Sequence, residues 1–115
     1  MRSTIHFKKW EIILVPFPFT DLSATKKRPL LIISPDEFNS SEDLVIAFIT
    51  SNISDQLRIG DCLINEWKSS GLPKPSIIRM KFTTISKSII VKKIGELSEM
   101  DRNIFQIKLS KFFSK

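Results

Sequence analysis

The chain has 115 residues, of which 42% are hydrophobic and 26% charged, and carries a formal net charge of +6. These values suit one soluble globular domain spanning residues 1–115. A single cysteine, Cys62, rules out an internal disulfide scaffold, and no apolar stretch approaches the ~18 residues that a membrane helix needs.

The charge is unevenly placed. Residues 1–67 hold 7 basic and 9 acidic side chains, whereas residues 68–115 hold 11 and 3. A basic half of this kind suits a polyanionic partner, either nucleic acid or an acidic protein segment. The first nine residues contain no apolar signal core, so the expected compartment is the cytoplasm, with no membrane partner.

Short apolar runs separated by turn clusters predict a mainly β chain. Residues 10–17 form a near-continuous apolar run, too short for an ordinary helix and rich in β-branched residues. They read as a buried strand closed by Pro16 and Pro18. A polar loop follows over residues 18–28, with Thr20, Asp21 and Ser23 supplying turn chemistry. Residues 29–34 read as a second strand, with Pro29 at its first position, where no ladder donor is needed. A polar loop over 35–43 leads to a third buried strand at 44–50.

A weaker alternating segment spans 57–66, and Gly71, Pro73 and Pro75 then break the chain. Two more strands are expected at 76–85 and 88–94. The period then changes. Ser98 with Asp101 resembles a capping box, and Met100, Ile104, Phe105, Ile107, Leu109 and Phe112 recur at helical spacing, which predicts a helix over 99–112. The expected architecture is mainly β with added α: a strongly bent antiparallel sheet or small barrel, with a C-terminal helix packed on it.

Several chemistries are disfavoured. Only three glycines are present, widely separated, so there is no phosphate loop. One histidine, His6, excludes paired-histidine catalysis within one chain, and one His with one Cys makes a zinc site unpromising. His6 reads as a solvated residue of the arm before the first strand, and Cys62 as a small buried strand residue. No acidic pair stands out. No cofactor and no metal are expected.

Four segments in order carry a family resemblance. They are Trp10 to Ser23, Lys26-Lys27-Arg28-Pro29 to Ser34, Asp43 to Thr50-Ser51, and Gly71 to Arg79 followed by Lys93 to Ser98. The set resembles the MazF/PemK family of toxin endoribonucleases from bacterial toxin–antitoxin pairs, over nearly the whole chain. Lys-Arg-Pro followed by Ile-Thr-Ser is its most specific part.

The resemblance implies an SH3-like barrel acting as a homodimer. It also implies metal-independent cleavage of single-stranded RNA at a short sequence, and an antitoxin partner whose acidic tail covers the RNA groove. On this resemblance the catalytic arginine falls on Arg28 and the strand-end threonine on Thr50. Substrate-binding positions fall on Ser51, Ser76 and Arg79. Lys26 and Lys27 add phosphate attraction, and Arg79 or Lys81 either protonates the leaving oxygen or holds the RNA backbone. Phe17 and Phe19 flank the first loop, with core packing as the expected role and base stacking as the alternative.

Two departures stand out. Trp10-Glu11 replaces the Gly-Asp pair with which many members begin the first strand. Lys81 stands where some members place an acidic residue two positions after the arginine, so the resemblance carries no carboxylate over to this position. Two other readings compete: a toxin of the same barrel class that binds DNA gyrase, and a non-catalytic RNA-binding or antitoxin-binding module.

Overall fold

The alternation of side chains along the apolar runs determines the sheet. In a computed structural model, which describes residues 5–17, 26–53 and 57–114, six strands form: β1 Glu11–Pro16, β2 Lys27–Ile32, β3 Asp43–Thr50, β4 Cys62–Leu63, β5 Ile77–Ser86 and β6 Lys92–Glu96. Two helices join them, α1 Asp36–Asn39 and α2 Glu99–Phe113. The strands make one sheet in the order β4-β5-β3-β2-β1-β6, and every pairing is antiparallel. The sheet curls into a half-barrel carrying the C-terminal helix, as the sequence predicts.

Both faces of the sheet are covered. Leu44 and Ile46 of β3 pack with Ile13, Val15, Leu30, Ile32 and Ile85 on one face. Their odd-numbered neighbours Ala47 and Ile49 pack on the other, with Ile12, Leu31, Ile78, Leu97 and Phe105 of α2. This two-sided burial explains why β1, β2 and β3 read as continuous apolar runs rather than as alternating ones.

The strand bounds shift from their predicted positions for local reasons. Trp10 is not the first strand residue: its φ is +77°, in the left-handed region that favours glycine. Holding a side chain there costs about 1–2 kcal/mol. Burial against Phe105, at 6.0 Å between ring centroids, offsets that cost. Two backbone hydrogen bonds also fix the residue, Trp10 N–H to Ile32 O and Leu97 N–H to Trp10 O. A large residue thus takes a glycine-like conformation at the position where the sequence departs from the expected Gly-Asp start.

Pro29 is the third residue of β2, not the first. It pairs with Leu14 of β1, whereas the ladder to β3 covers only Leu30, Leu31 and Ile32, so no bond to β3 is lost. The polar loop expected over 35–43 contains the single turn α1.

The segment 57–66 is not a strand throughout. Gly60, at φ +87°, turns the chain, and only Cys62 and Leu63 pair with β5. The last strand begins at Lys92 rather than at 88, because Ser86 caps a 3-10 turn over Lys87–Ile89. Behind β6 the chain crosses itself closely: a Cβ on Gly71 would lie 1.9 Å from the Ile94 carbonyl oxygen.

The helix starts as predicted. The Ser98 hydroxyl accepts the Asp101 N–H at 3.1 Å. The Asp101 carboxylate does not close a box on the cap backbone. It accepts the N–H groups of Asn65 and Glu66 at 3.0 and 2.8 Å, tying the helix to the segment after β4. Among the described residues no helix is long and apolar enough to cross a membrane.

Candidate functional site

The β2–β3 register pairs Leu30 with Phe48. Arg28 lies two residues before Leu30 on β2, and Thr50 two residues after Phe48 at the end of β3. Both side chains line one groove of about 290 Å³.

β5 forms the opposite wall through a bulge. Between the pairs Ala47–Phe82 and Ile49–Ile78, β3 contributes Phe48 alone, and β5 contributes Arg79, Met80 and Lys81. Two extra residues preserve the alternation of faces. Met80 therefore packs on the core beneath α2, and Arg79 and Lys81 both line the groove. The Lys81 Nζ lies 4.9 Å from the centroid of the Phe48 ring, an attractive cation–aromatic contact.

The groove is strongly basic. Arg28, Arg58, Arg79 and Lys81 line it, and among the described residues no carboxylate does. Phe17 forms part of the wall, 37% exposed, with the Arg28 guanidinium 5.5 Å from its ring centroid. The expectation that Phe17 packs in the core is corrected, because β1 ends at Pro16 and Phe17 lies beyond the covered sheet. Phe19 lies outside the described residues.

The Thr50 hydroxyl accepts the Asn52 N–H at 3.1 Å. That bond fixes the side chain in a local turn. Since the oxygen accepts in it, the hydroxyl keeps its proton for donation to an anion.

The other expected site residues separate from this group. Lys27, Ser51 and Ser76 line a neighbouring cleft that shares Arg28 with the groove. Ser76 is buried, and its hydroxyl donates to the Lys74 carbonyl at 2.9 Å, so it shapes the cleft wall rather than presenting a donor. His6 is exposed, and Cys62 is buried as expected. Burial pushes the Cys62 thiol above its ordinary pKa; Lys108 partly opposes the rise and Asp101 adds to it.

Two residues of the site escaped the sequence reading. Arg58 lies in a loop segment with no motif around it. Asp61 sits behind Arg79, its Oδ2 3.2 Å from the guanidinium and its side chain 1% exposed. An Asp that recurs three residues after an Arg, across a Gly, is a turn signal, but it does not show that the turn docks on a distant strand.

The model of the PemK-like, MazF-like toxins of type II toxin–antitoxin systems matches residues 8–113. The chain belongs to that family. Solved structures agree with the fold of a PemK/MazF-like toxin. An endoribonuclease from a Mycobacterial species, solved in complex with its cognate antitoxin, is 14% identical, with a TM-score of 0.72 over 94% of this chain and 93% of its own. The MazE–MazF complex of Deinococcus radiodurans is 12% identical, with a TM-score of 0.74 over 96% and 98%. The Mycobacterium tuberculosis toxin MazF-mt6 is 18% identical, with a TM-score of 0.69 over 90% and 95%. No curated protein matches the chain significantly by sequence.

Proposed function

We propose that this PemK/MazF-like toxin is a sequence-specific, metal-independent endoribonuclease that cleaves single-stranded RNA and is neutralised by a cognate antitoxin. One observation carries the reading. Arg28 and Thr50, which come from two separate sequence motifs on the neighbouring strands β2 and β3, line one groove whose charged lining is cationic. The fold shared with endoribonucleases from Mycobacterial species supports it.

The chemistry follows from RNA itself. The 2′-oxygen bonds to the adjacent phosphorus, the bond from phosphorus to the 5′-oxygen breaks, the 2′ proton leaves and the 5′-oxygen gains one. The negative charge that builds on the phosphoryl oxygens needs fixed donors. The Arg28 guanidinium matches those oxygens with a planar fork and stays charged. Thr50, held by Asn52 at the end of a core strand, donates its hydroxyl and holds the phosphate in line. Arg79 and Lys81 hold the RNA backbone along the second wall. Lys27 and Ser51, in the adjoining cleft, extend the cationic path past Arg28.

The acidic tail of an antitoxin suits the same groove by charge. The protein acts as a homodimer in the cytoplasm on this reading, which light scattering of the purified chain checks.

The test is incubation of the purified protein with a long single-stranded RNA in EDTA, beside Arg28→Ala and Thr50→Ala. Discrete cuts by the wild type, with kcat lowered by about 10²–10³ in each folded variant, are expected for lost transition-state donors. Intact RNA of varied sequence, from folded wild-type protein, rejects the reading and favours gyrase binding or a binding-only role.

A further inference from the structure

We infer that Arg58 and Arg79, joined by Asp61, form a second phosphate-holding point in the groove, separate from the one at Arg28 and Thr50. This rests on the reading of the groove as an RNA-cleaving site.

A single carboxylate oxygen joins the two arginines. Asp61 Oδ2 accepts the Arg58 backbone N–H at 2.7 Å and the Arg79 guanidinium at 3.2 Å, and the Asp61 N–H returns to the Arg58 carbonyl at 3.0 Å. The turn that carries Arg58 is also seated on β5. A Cβ on Gly60 would meet the Met80 Cγ at 2.5 Å, so the turn's backbone rests against the residue between Arg79 and Lys81. Arg58 therefore enters the groove from a turn locked to the strand that presents Arg79.

Asp61 does not line the groove, and its side chain is 1% exposed. It is not presented to a substrate and does not take a proton from one. It acts as a positioning residue. A guanidinium carries five N–H donors; Asp61 occupies one nitrogen of Arg79 and fixes the plane of the rest toward the groove. A carboxylate behind a basic groove weakens its general attraction for phosphate, so its contribution is orientation. Phosphates recur along a strand, and a groove with Arg28 on one wall and the Arg58–Arg79 pair on the other holds two of them.

The experiment measures binding of an uncleavable, fully 2′-O-methylated single-stranded RNA over a salt series, together with kcat and KM on cleavable RNA. Arg58→Ala is expected to reduce the slope of log K against log salt by about 0.7, the value for one single-strand phosphate contact. Its KM is expected to rise about three- to tenfold with kcat held. Arg28→Ala with Arg58→Ala should lose the sum of the two slopes, because the phosphates are separate.

Asp61→Asn separates positioning from plain electrostatics by sign. Removing a negative charge alone tightens RNA binding, whereas loss of the hold on Arg79 weakens it and raises KM; the second is expected. If Asp61→Asn fails to fold, Arg58→Ala, an exposed substitution, still decides. Unchanged slope and KM in Arg58→Ala, with a wild type that cuts RNA, overturn the inference alone. A wild type that neither binds nor cuts RNA overturns the proposed function and this inference with it.

Discussion

Arg79 and Asp61 meet at 3.2 Å in a contact that leaves the Asp61 side chain 1% exposed and that of Arg79 15% exposed. The other carboxylate oxygen, Oδ1, is buried with no hydrogen-bond partner among the described residues. Asp61 thus depends on Arg79 for compensation of its charge. Arg79→Ala should destabilise the fold by about 3 kcal/mol, the cost of leaving a buried charge unpaired. Adding Asp61→Ala should recover part of that loss, since the orphaned charge goes with it. Urea unfolding of the two variants checks both signs. Equal stabilities of Arg79→Ala and wild type would show that water reaches Asp61 freely.

The coupling also shows where sequence reading stopped. Arg28 and Thr50 were expected only from the family resemblance of Lys-Arg-Pro and Ile-Thr-Ser, and the structure brings both to one groove. The sheet and α2 were legible because period and capping are local, as Ser98 shows. Arg58 and Asp61 were not legible, because their value lies in a contact with Arg79 some twenty residues away. The β5 bulge was hidden too. Residues 79–81 keep the alternation of a plain strand, and only the pairing reveals that three of them face Phe48. The turn at Trp10 is hidden for another reason: an apolar residue before a strand gives no sign of a positive φ.

Lys81 occupies the position at which some members of the family carry an acid. It lies over the Phe48 ring at 4.9 Å and lines the basic groove. On the proposed reading its charge serves phosphate binding and its ammonium supplies no base. Lys81→Ala should therefore raise KM about threefold and leave kcat within about twofold, as loss of uniform binding does. Lys81→Glu should weaken RNA binding further without raising kcat. A faster Lys81→Glu enzyme would show that the site lacks only a carboxylate at this position.

Phe17 offers an aromatic surface at the groove, 37% exposed beside Arg28. Stacking of a base on such a ring contributes about 1–3 kcal/mol, so Phe17→Ala should raise KM roughly five- to a hundredfold. Stability should change little, because the ring lies outside both core clusters. Phe17→Trp should retain affinity. A Phe17→Ala variant that loses stability while binding RNA normally would assign the ring to packing.

Cys62 gives a prediction about pH. Its side chain is buried in β4, and burial raises its pKa above the ordinary thiol value. The native thiol should not react with a disulfide reagent near pH 8, and one equivalent should react in denaturant. For an acid whose folded pKa lies above its unfolded one, the folded state keeps the proton longer as pH rises. Between the unfolded thiol value of about 8.5 and the raised folded value, the unfolded chain binds fewer protons, and stability falls with pH. The contribution is fully present below the unfolded value and is lost as pH rises through the folded one. Cys62→Ala removes this titration without removing that of the lysines. The stability of the wild type should therefore decline more steeply than that of Cys62→Ala across the alkaline range. Parallel declines would mean that the thiol ionises alike in both states, with water reaching β4 beside Ile78.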